Sequence, residues 1–276
     1  AGSGALTLGV PSSPGVPAAL AKLTHLARFN DLENVRAIFE EAGGSIAALI
    51  VEPVAGNMGV VPPAEGFLEG LRELCNEHGA LLIFDEVITG FRVSRGGAQE
   101  RYDVSPDLTV MGKVVGGGLP VGGFGGPAEI MNHLAPEGPV YQAGTLSGNP
   151  LATAAGLATL KALAGEQVYA ELEAAGAALA GGLQEAVVSC GVSARVQRVG
   201  SMMTLFFNEE PVENLDSLDG VRTDLYAKFY QGMIEGGVTL PPSQYEAFFV
   251  STAHTDDDIE KITSTAAGVL SSLKDA

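Results

Sequence analysis

The sequence contains no tryptophan among its 276 residues, and aromatic residues make up only 6% of it. Basic residues are also few: 15 Lys and Arg stand against 33 Asp and Glu, which gives a formal net charge of −18 at pH 7. We therefore expect no nucleic-acid partner, since binding to a phosphate backbone depends largely on Lys and Arg. The acidic balance otherwise indicates only a soluble protein.

Residues that bind metals or form cross-links are scarce. Two cysteines cannot form a disulfide scaffold or a four-ligand zinc site. The four histidines lack ligand spacing, so no metal is expected. The cysteines are Cys75 and Cys190, and the histidines are His25, His78, His133 and His254. Cys75 lies on the apolar face of a predicted helix, which favours a buried free thiol.

Membrane and targeting segments are not visible either. No apolar stretch approaches the ~18 residues that a membrane span needs, and no basic start precedes an apolar run. We expect a reducing, cytoplasmic setting. The sequence opens with AGSG and has no initial methionine, so we interpret it as part of a longer protein, whose start could carry a targeting segment.

Hydrophobic residues are plentiful at 46%, and 37 glycines favour tight packing of helices on a sheet. At roughly 150 residues per domain, the length predicts two domains. We place the boundary near residue 155, between an α/β domain over residues 1–155 and a smaller α+β domain over residues 156–276.

The first half alternates between predicted strands and helices. Short apolar runs at residues 46–51, 80–84 and 108–111 predict strands, and the first of them is expected to be buried on both faces. A helix after Asp31 and one that starts at Pro62-Pro63 and stops at Gly79 lie beside them. Strand, helix and strand at this spacing predict a parallel sheet.

The second half has a different texture. Residues 151–186 are rich in alanine and predict helix, interrupted near Gly165 and Gly181-Gly182. Strands are expected around residues 195–196, 202–207 and 247–251, with a helix over residues 219–235. A capping box is expected at residues 255–258, before a final helix.

Polar residues follow each predicted strand of the first half. They are Glu52 and Asn57 after the first strand, Asp85 and Glu86 after the second, and Lys113 after the third. Ligands bind outside the carboxyl ends of parallel strands. A carboxylate and a lysine there are compatible with an ordinary ion pair. They are equally the groups that would hold a pyridinium nitrogen and form a Schiff base in pyridoxal phosphate chemistry.

A glycine-rich run, GGGLPVGGFGG at residues 116–126, follows Lys113. It does not open a helix directly after a strand, so it is not a dinucleotide-binding fingerprint. The run is compatible with a set of tight turns, or with a loop whose backbone passes close to a cofactor.

Two longer strings carry a family resemblance. LIFDEVITGFR at residues 82–92, with Gly112-Lys113 and the glycines after them, resembles the cofactor signature of the class III pyridoxal phosphate-dependent aminotransferases. YQAGTLSGNP at residues 141–150 is similar to the segment with which that family contacts the phosphate of the partner subunit's cofactor. The resemblance covers essentially the whole sequence. It implies fold type I, with a mostly parallel sheet in the large domain and a smaller C-terminal α+β domain.

The resemblance also implies roles for individual residues. Lys113 would form the Schiff base with pyridoxal 5'-phosphate and shuttle protons, Asp85 would hold the pyridinium nitrogen, and Val87 would pack on one ring face. Asn57 would bind the phenolic oxygen of the ring. Most relatives have a glutamine two residues earlier, where this sequence has Ala55.

Four further residues complete the expected site. Thr145, with the backbone amide of Gly144, would bind the phosphate of the other subunit's cofactor, which implies a homodimer. Glu246 is either a surface carboxylate or a residue near the substrate. Ser3 is either the end of a mobile lid or part of a disordered terminus.

Four short strings narrow the resemblance to an aminomutase branch of the family: AGSG at 1–4, SPGVP at 13–17, VEPVAGN at 51–57 and SQYEA at 243–247. The branch converts glutamate 1-semialdehyde to 5-aminolevulinate for tetrapyrrole synthesis, starting from pyridoxamine 5'-phosphate. A glutamyl-tRNA reductase would be the upstream partner that hands over the substrate.

Two alternatives stay open at this point. One is an ω-amino acid aminotransferase that uses a separate donor and acceptor. The other is an incomplete, inactive polypeptide, because the family's first portion supplies a phosphate loop, an aromatic residue on the ring and a basic residue for the substrate carboxylate. This sequence has no counterpart to that portion.

Overall fold

The protein is seen in a computed structural model that describes residues 16–165 and 167–274. In these residues the strands form two sheets. The first sheet has the spatial order β1-β2-β3-β4, with β1 at Ala48–Val51, β2 at Leu81–Glu86, β3 at Leu108–Met111 and β4 at Gly123–Gly125. The second sheet has the order β5-β6-β7, with β5 at Arg195–Val199, β6 at Met202–Phe206 and β7 at Phe248–Phe249.

Helices cover the two sheets and connect their strands. In chain order they are α1 Ala18–Ala21, α2 Leu32–Ala42, α3 Phe67–His78, α4 Gly97–Tyr102, α5 Ala128–Met131, α6 Pro150–Leu163, α7 Val168–Cys190, α8 Thr223–Glu235 and α9 Asp256–Leu273. Short 3-10 turns occupy Gly43–Ser45, Lys113–Gly116 and Asp216–Leu218.

The first sheet is parallel except at one edge. β1 pairs with β2 and β2 with β3 in parallel, while β4 runs antiparallel to β3. Helix α3 crosses from β1 to β2, as the predicted strand-helix-strand unit requires. The second sheet is antiparallel throughout. The predicted mostly parallel sheet and smaller α+β part are therefore confirmed.

The prediction for the first strand is wrong in one respect. β1 is not buried on both faces, since its side chains alternate between exposed and half-buried, and Ile50 is 63% exposed. The reason lies in the pairing: β1 is an edge strand of this sheet, and among the described residues only β2 lies beside it. An apolar run can mark a strand, but the sequence does not say what covers it.

Helix α3 begins later than predicted. It starts at Phe67, after Gly66 in the left-handed conformation, instead of at Pro62-Pro63. The Asn30 side chain holds the proline segment outside the helix, because its amide donates to the Pro62 carbonyl and its oxygen accepts from the Ala64 amide. The predicted stop at Gly79 is correct.

Helix α7 is longer and more regular than predicted. It runs without a break through Gly181 and Gly182 to Cys190, although two adjacent glycines weaken a helix. A side chain at Gly182 would lie 2.5 Å from the Thr263 Cγ2 atom of α9, whereas nothing lies within 4 Å of the same position at Gly181. Gly182 therefore permits the close approach of α7 and α9.

The other predictions for the second half hold with shifted ends. The break near Gly165 separates α6 from α7, and β5, β6, β7 and α8 lie within or next to the predicted runs. Thr255 and Asp258 form the predicted capping box at the start of α9. Residue 155 falls inside α6, and the domain boundary there stays a prediction.

Separate apolar clusters stabilise the two halves. Phe39, Leu68, Leu74 and Phe84 are buried between α2, α3 and β2, and Cys75 is fully buried there as predicted. The larger cluster packs α7, α8 and α9 on β6 and includes Leu183, Met203, Leu205, Phe229 and Leu270. Two smaller clusters join the halves, one through Val54, Val60 and Met202 and the other through Ala55, Val61 and Phe206.

The glycine pair in α7 gives a matched test of this packing. We expect Gly182→Ala to destabilise the protein by about 1–3 kcal/mol, because the new methyl group collides with Thr263. Gly181→Ala should be neutral or stabilise the protein by up to about 1 kcal/mol, since alanine is the better helix former. Urea unfolding of both variants checks this, and equal effects would contradict the packing argument.

Candidate active site

The parallel register brings the ends of β1, β2 and β3 to one edge of the first sheet. Val51 lies opposite Phe84, and Asp85 lies opposite Val110. Glu52 lies just beyond β1. The negative charge of Asp85 raises the pKa of the Glu52 carboxyl group, and the positive charge of Lys113 lowers it. The structure therefore brings together three of the polar groups that follow the predicted strands.

Lys113 has an unusual backbone conformation. Its φ of 48° lies in the left-handed region, where residues other than glycine are uncommon. The residue opens the Lys113–Gly116 turn directly after β3, and its side chain is exposed. Strain of this kind costs roughly 1–3 kcal/mol and is concentrated at functional sites.

Asp85 and Val87 lie beside this lysine segment, and both are half-buried. The Asp85 Oδ1 atom accepts a hydrogen bond of 3.1 Å from the backbone amide of Val87. The Cβ position that Gly112 leaves empty is 3.2 Å from the Val87 Cγ1 atom. Val87 therefore packs against the backbone that leads into Lys113, and a larger residue than Gly112 would displace it.

Asn57 is held in place by Glu52. The Asn57 side chain donates to Glu52 Oε1 at 2.8 Å, and the Gly56 amide donates to Glu52 Oε2 at 2.9 Å. Burial raises the pKa of Glu52 above its ordinary value of 4.5, although both hydrogen bonds act in the opposite direction. Glu52 engages one of the two Nδ2 hydrogens of Asn57, so the second hydrogen remains a donor for an oxygen of a ligand.

Glu86, next to Asp85, points to the other side of the strand and is only 1% exposed. Its carboxylate accepts hydrogen bonds from the Thr89 hydroxyl, from the Ala98 and Gln99 amides and from the Gln99 side chain. A buried carboxylate is tolerated when its oxygens are satisfied in this way. Glu86 therefore fixes the segment after β2 and is not available to a ligand.

The remaining predicted residues are less closely associated with this edge. Gly144 and Thr145 are exposed and precede α6, which packs on the Lys113–Gly116 turn with Gly156 against the Val115 carbonyl. Glu246 is exposed, and its backbone carbonyl accepts from Thr204 at 3.1 Å. Ser3 lies outside the described residues.

The sequence reasoning assigned no role to Glu52 and did not single out Thr204. Glu52 is among the polar residues that follow the first predicted strand, but that position does not reveal that it holds Asn57. The signal for Thr204 is a lone hydroxyl in the apolar strand MMTLF, which occupies residues 202–206.

The expected absences can be compared with the structure only where it describes the chain. Within residues 16–165 and 167–274 no group of His, Cys, Asp or Glu could hold a metal ion. Over the same ranges no helix is long and apolar enough to cross a membrane.

The sequence of the chain matches a known protein family over most of its length. The family model "Aminotransferase class-III" matches residues 4–266. The chain belongs to the class III aminotransferase family. This confirms the resemblance noted in the sequence, and the expected fold agrees with that of the structural neighbours.

Three similar proteins illustrate the relationship. The glutamate-1-semialdehyde 2,1-aminomutase of Desulforamulus reducens is 59% identical over 266 residues, which are 96% of this chain and 62% of the relative. An omega-transaminase of Sphaerobacter thermophilus has a TM-score of 0.88 at 30% identity, covering 95% of this chain and 60% of the other. A glutamate-1-semialdehyde-aminomutase variant of Pseudomonas aeruginosa in complex with PMP has a TM-score of 0.82 at 28% identity, covering 95% and 60%. The chain thus spans less than two thirds of the length of these relatives.

Because the pKa of Glu52 is raised in the folded protein, the free energy of unfolding should depend on pH. The folded protein holds the Glu52 proton more tightly than the unfolded chain does. The protonated Glu52 side chain therefore stabilises the fold fully below the ordinary pKa of 4.5, and this contribution is lost as the pH rises through the raised pKa. Relative to Glu52→Gln, the wild-type chain should lose unfolding free energy as the pH rises above the ordinary pKa of 4.5. Urea unfolding across that range measures the difference, and the exposed Glu129→Gln variant corrects for the loss of one negative charge. A difference that grows in favour of the wild type would contradict the argument.

Proposed function

We propose that this chain carries the cofactor and substrate residues of a glutamate-1-semialdehyde 2,1-aminomutase, which converts glutamate 1-semialdehyde to 5-aminolevulinate for tetrapyrrole synthesis. The observation that carries the proposal is the parallel register of β1, β2 and β3, which places Asp85, Lys113 and the Glu52-Asn57 pair at one sheet edge. The 59% identity to the Desulforamulus reducens aminomutase supports the same reaction.

The residues present fit pyridoxal 5'-phosphate or pyridoxamine 5'-phosphate as the cofactor. The edge offers a primary amine, a carboxylate and a side-chain amide, which are partners for the aldehyde carbon, the ring nitrogen and the phenolic oxygen of such a ring. The missing side chain of Gly112 keeps the backbone before Lys113 close to Val87, whose apolar methyl groups suit a ring face. When bound, the cofactor supplies an electron sink for the carbon that loses a proton.

Each residue then has a defined task. The Lys113 Nζ atom holds the cofactor and moves protons between the substrate carbons. The Asp85 carboxylate keeps a proton on the ring nitrogen. Asn57, oriented by Glu52, binds the phenolic oxygen. Val87 excludes water from one face of the ring.

We further propose that two copies of the chain form the enzyme. Thr145 and the Gly144 amide would bind the phosphate of the cofactor in the partner copy. Large apolar side chains near them favour burial in such an interface, since Tyr141 is 83% exposed and Leu146 76%.

Four predictions about the surroundings remain part of the proposal. Glu246 would approach the substrate, and Ser3 would belong to a lid that retains it. A glutamyl-tRNA reductase would supply the aldehyde. Because neither Cys75 nor Cys190 is paired, a reducing cytoplasmic setting suits the chain.

An ω-amino acid aminotransferase is the second candidate function. Its support is the omega-transaminase of Sphaerobacter thermophilus, with a TM-score of 0.88. Against it stands the residue pair Ala55 and Asn57, since most family members have a glutamine at the position of Ala55.

The role of Lys113 can be tested by cofactor binding. We expect Lys113→Ala to lose the visible absorbance of lysine-bound pyridoxal phosphate, because no other amine would hold the cofactor. Reduction with borohydride should fix the cofactor to Lys113 in the wild-type chain, as peptide mass spectrometry would detect. Lys161→Ala, on α6, is the control and should keep the absorbance. An unchanged spectrum of Lys113→Ala would remove this lysine from the proposal.

The reaction class is decided by the number of substrates. An aminomutase exchanges amino groups within one carbon skeleton, so glutamate 1-semialdehyde alone should sustain formation of 5-aminolevulinate over many turnovers. Product formation is measured with and without an added amino donor and a 2-oxo acid acceptor. Turnover that requires both additions would support the aminotransferase instead. No turnover under either condition would support the inactive alternative.

A further inference from the structure

The Asn57 hairpin, residues 55–61, is anchored to the second half of the chain. Ala55 and Val61 exchange two backbone hydrogen bonds of 3.0 Å, which close the hairpin and place Asn57 near its tip. At the tip, the Gly59 amide donates to the Tyr245 carbonyl at 2.8 Å. The hairpin thus contacts the 243–247 loop, which carries Glu246.

Val60 of this hairpin is held by two side chains of the second sheet. Its amide donates to the Thr204 Oγ1 atom at 3.0 Å, and its carbonyl accepts from the Gln197 side chain at 3.0 Å. The Val60 side chain is fully buried. The hairpin therefore has little freedom to move relative to β5 and β6.

Thr204 joins the same two segments at a second point, besides the hydrogen bond between Gly59 and Tyr245. It lies in β6 among Met202, Met203, Leu205 and Phe206 and is 1% exposed. Its hydroxyl accepts from the Val60 amide and donates to the Glu246 carbonyl at 3.1 Å. One hydroxyl thus joins the hairpin of Asn57 to the backbone of Glu246, and its single proton is used in doing so.

We propose that Thr204 is a positioning residue, which fixes the Asn57 hairpin and the Glu246 loop relative to each other so that both face one ligand from set positions. The identity of the ligand, a pyridoxal cofactor with its amino aldehyde substrate, rests on the proposed function. The link itself rests only on the two hydrogen bonds of the Thr204 hydroxyl.

Two substitutions separate the hydroxyl from the shape of the side chain. Thr204→Val keeps the branched shape but leaves the Val60 amide and the Glu246 carbonyl without this partner. Thr204→Ser keeps the hydroxyl and loses only the buried methyl group. Gln197 and Tyr245 still hold the hairpin in both variants, so the hairpin should loosen without detaching.

The first measurement is hydrogen exchange of the 276-residue chain without cofactor. In Thr204→Val the amides of Gly59 and Val60 should exchange roughly tenfold faster, while Thr204→Ser should stay close to the wild type. If the valine variant does not fold, Thr204→Ala is used in its place, because it removes the same hydroxyl. Equal exchange in the serine and hydroxyl-free variants would overturn the proposal.

The second measurement is the affinity for pyridoxal 5'-phosphate, read from its visible absorbance. Thr204→Val should weaken binding by about fivefold in the wild-type chain but cause no further loss when combined with Asn57→Ala, because Thr204 acts through Asn57. Equal losses in both backgrounds would mean a general structural effect and would overturn the positioning role. If the wild-type chain binds no cofactor, the proposed function fails, while the exchange rates still decide the link through Thr204.

Discussion

The parallel pairing of β1, β2 and β3 is the constraint on which the site depends. Parallel strands end at the same edge, so residues that follow each strand meet there although they are far apart in the sequence. Glu52, Asp85 and Lys113 are brought together in this way. The left-handed backbone of Lys113 and the small Gly112 before it are local consequences, because the chain must turn sharply beside Val87 as soon as β3 ends.

Two hydrogen-bond networks stabilise this edge, one around Glu52 and one around Glu86. The two adjacent carboxylates at the end of β2 have different tasks because neighbouring side chains of a strand point to opposite sides. Glu86 is buried and satisfied by four hydrogen bonds, whereas Asp85 stays half-buried. Glu52 holds the segment after β1 in a similar way, because its carboxylate accepts hydrogen bonds from the Gly56 amide and the Asn57 side chain. Such preorganisation favours a site that acts without first having to rearrange.

The sequence predicts features that depend on neighbouring residues and fails where distant contacts decide. The start of α2 at Asp31, the stop of α3 at Gly79 and the capping box at Thr255 are local signals and are correct. The exposure of β1 and the continuity of α7 through Gly182 depend on what packs beside them, namely one strand pairing and Thr263 of α9.

The link through Thr204 shows why the sequence does not predict the residues that hold a site in place from a distant part of the chain. The motifs that predict Lys113, Asp85 and Asn57 lie within the first sheet or directly after its strands, but the atom that holds Val60 is 144 positions further along the chain. The sequence also does not predict what covers the exposed side of the proposed site, at Lys113. Lys113 is exposed, and chemistry that moves protons at carbon requires the exclusion of water. The described residues of one copy therefore leave the side of the proposed site at Lys113 open. The exposed Thr145 segment of a second copy is our proposal for what covers part of that open side.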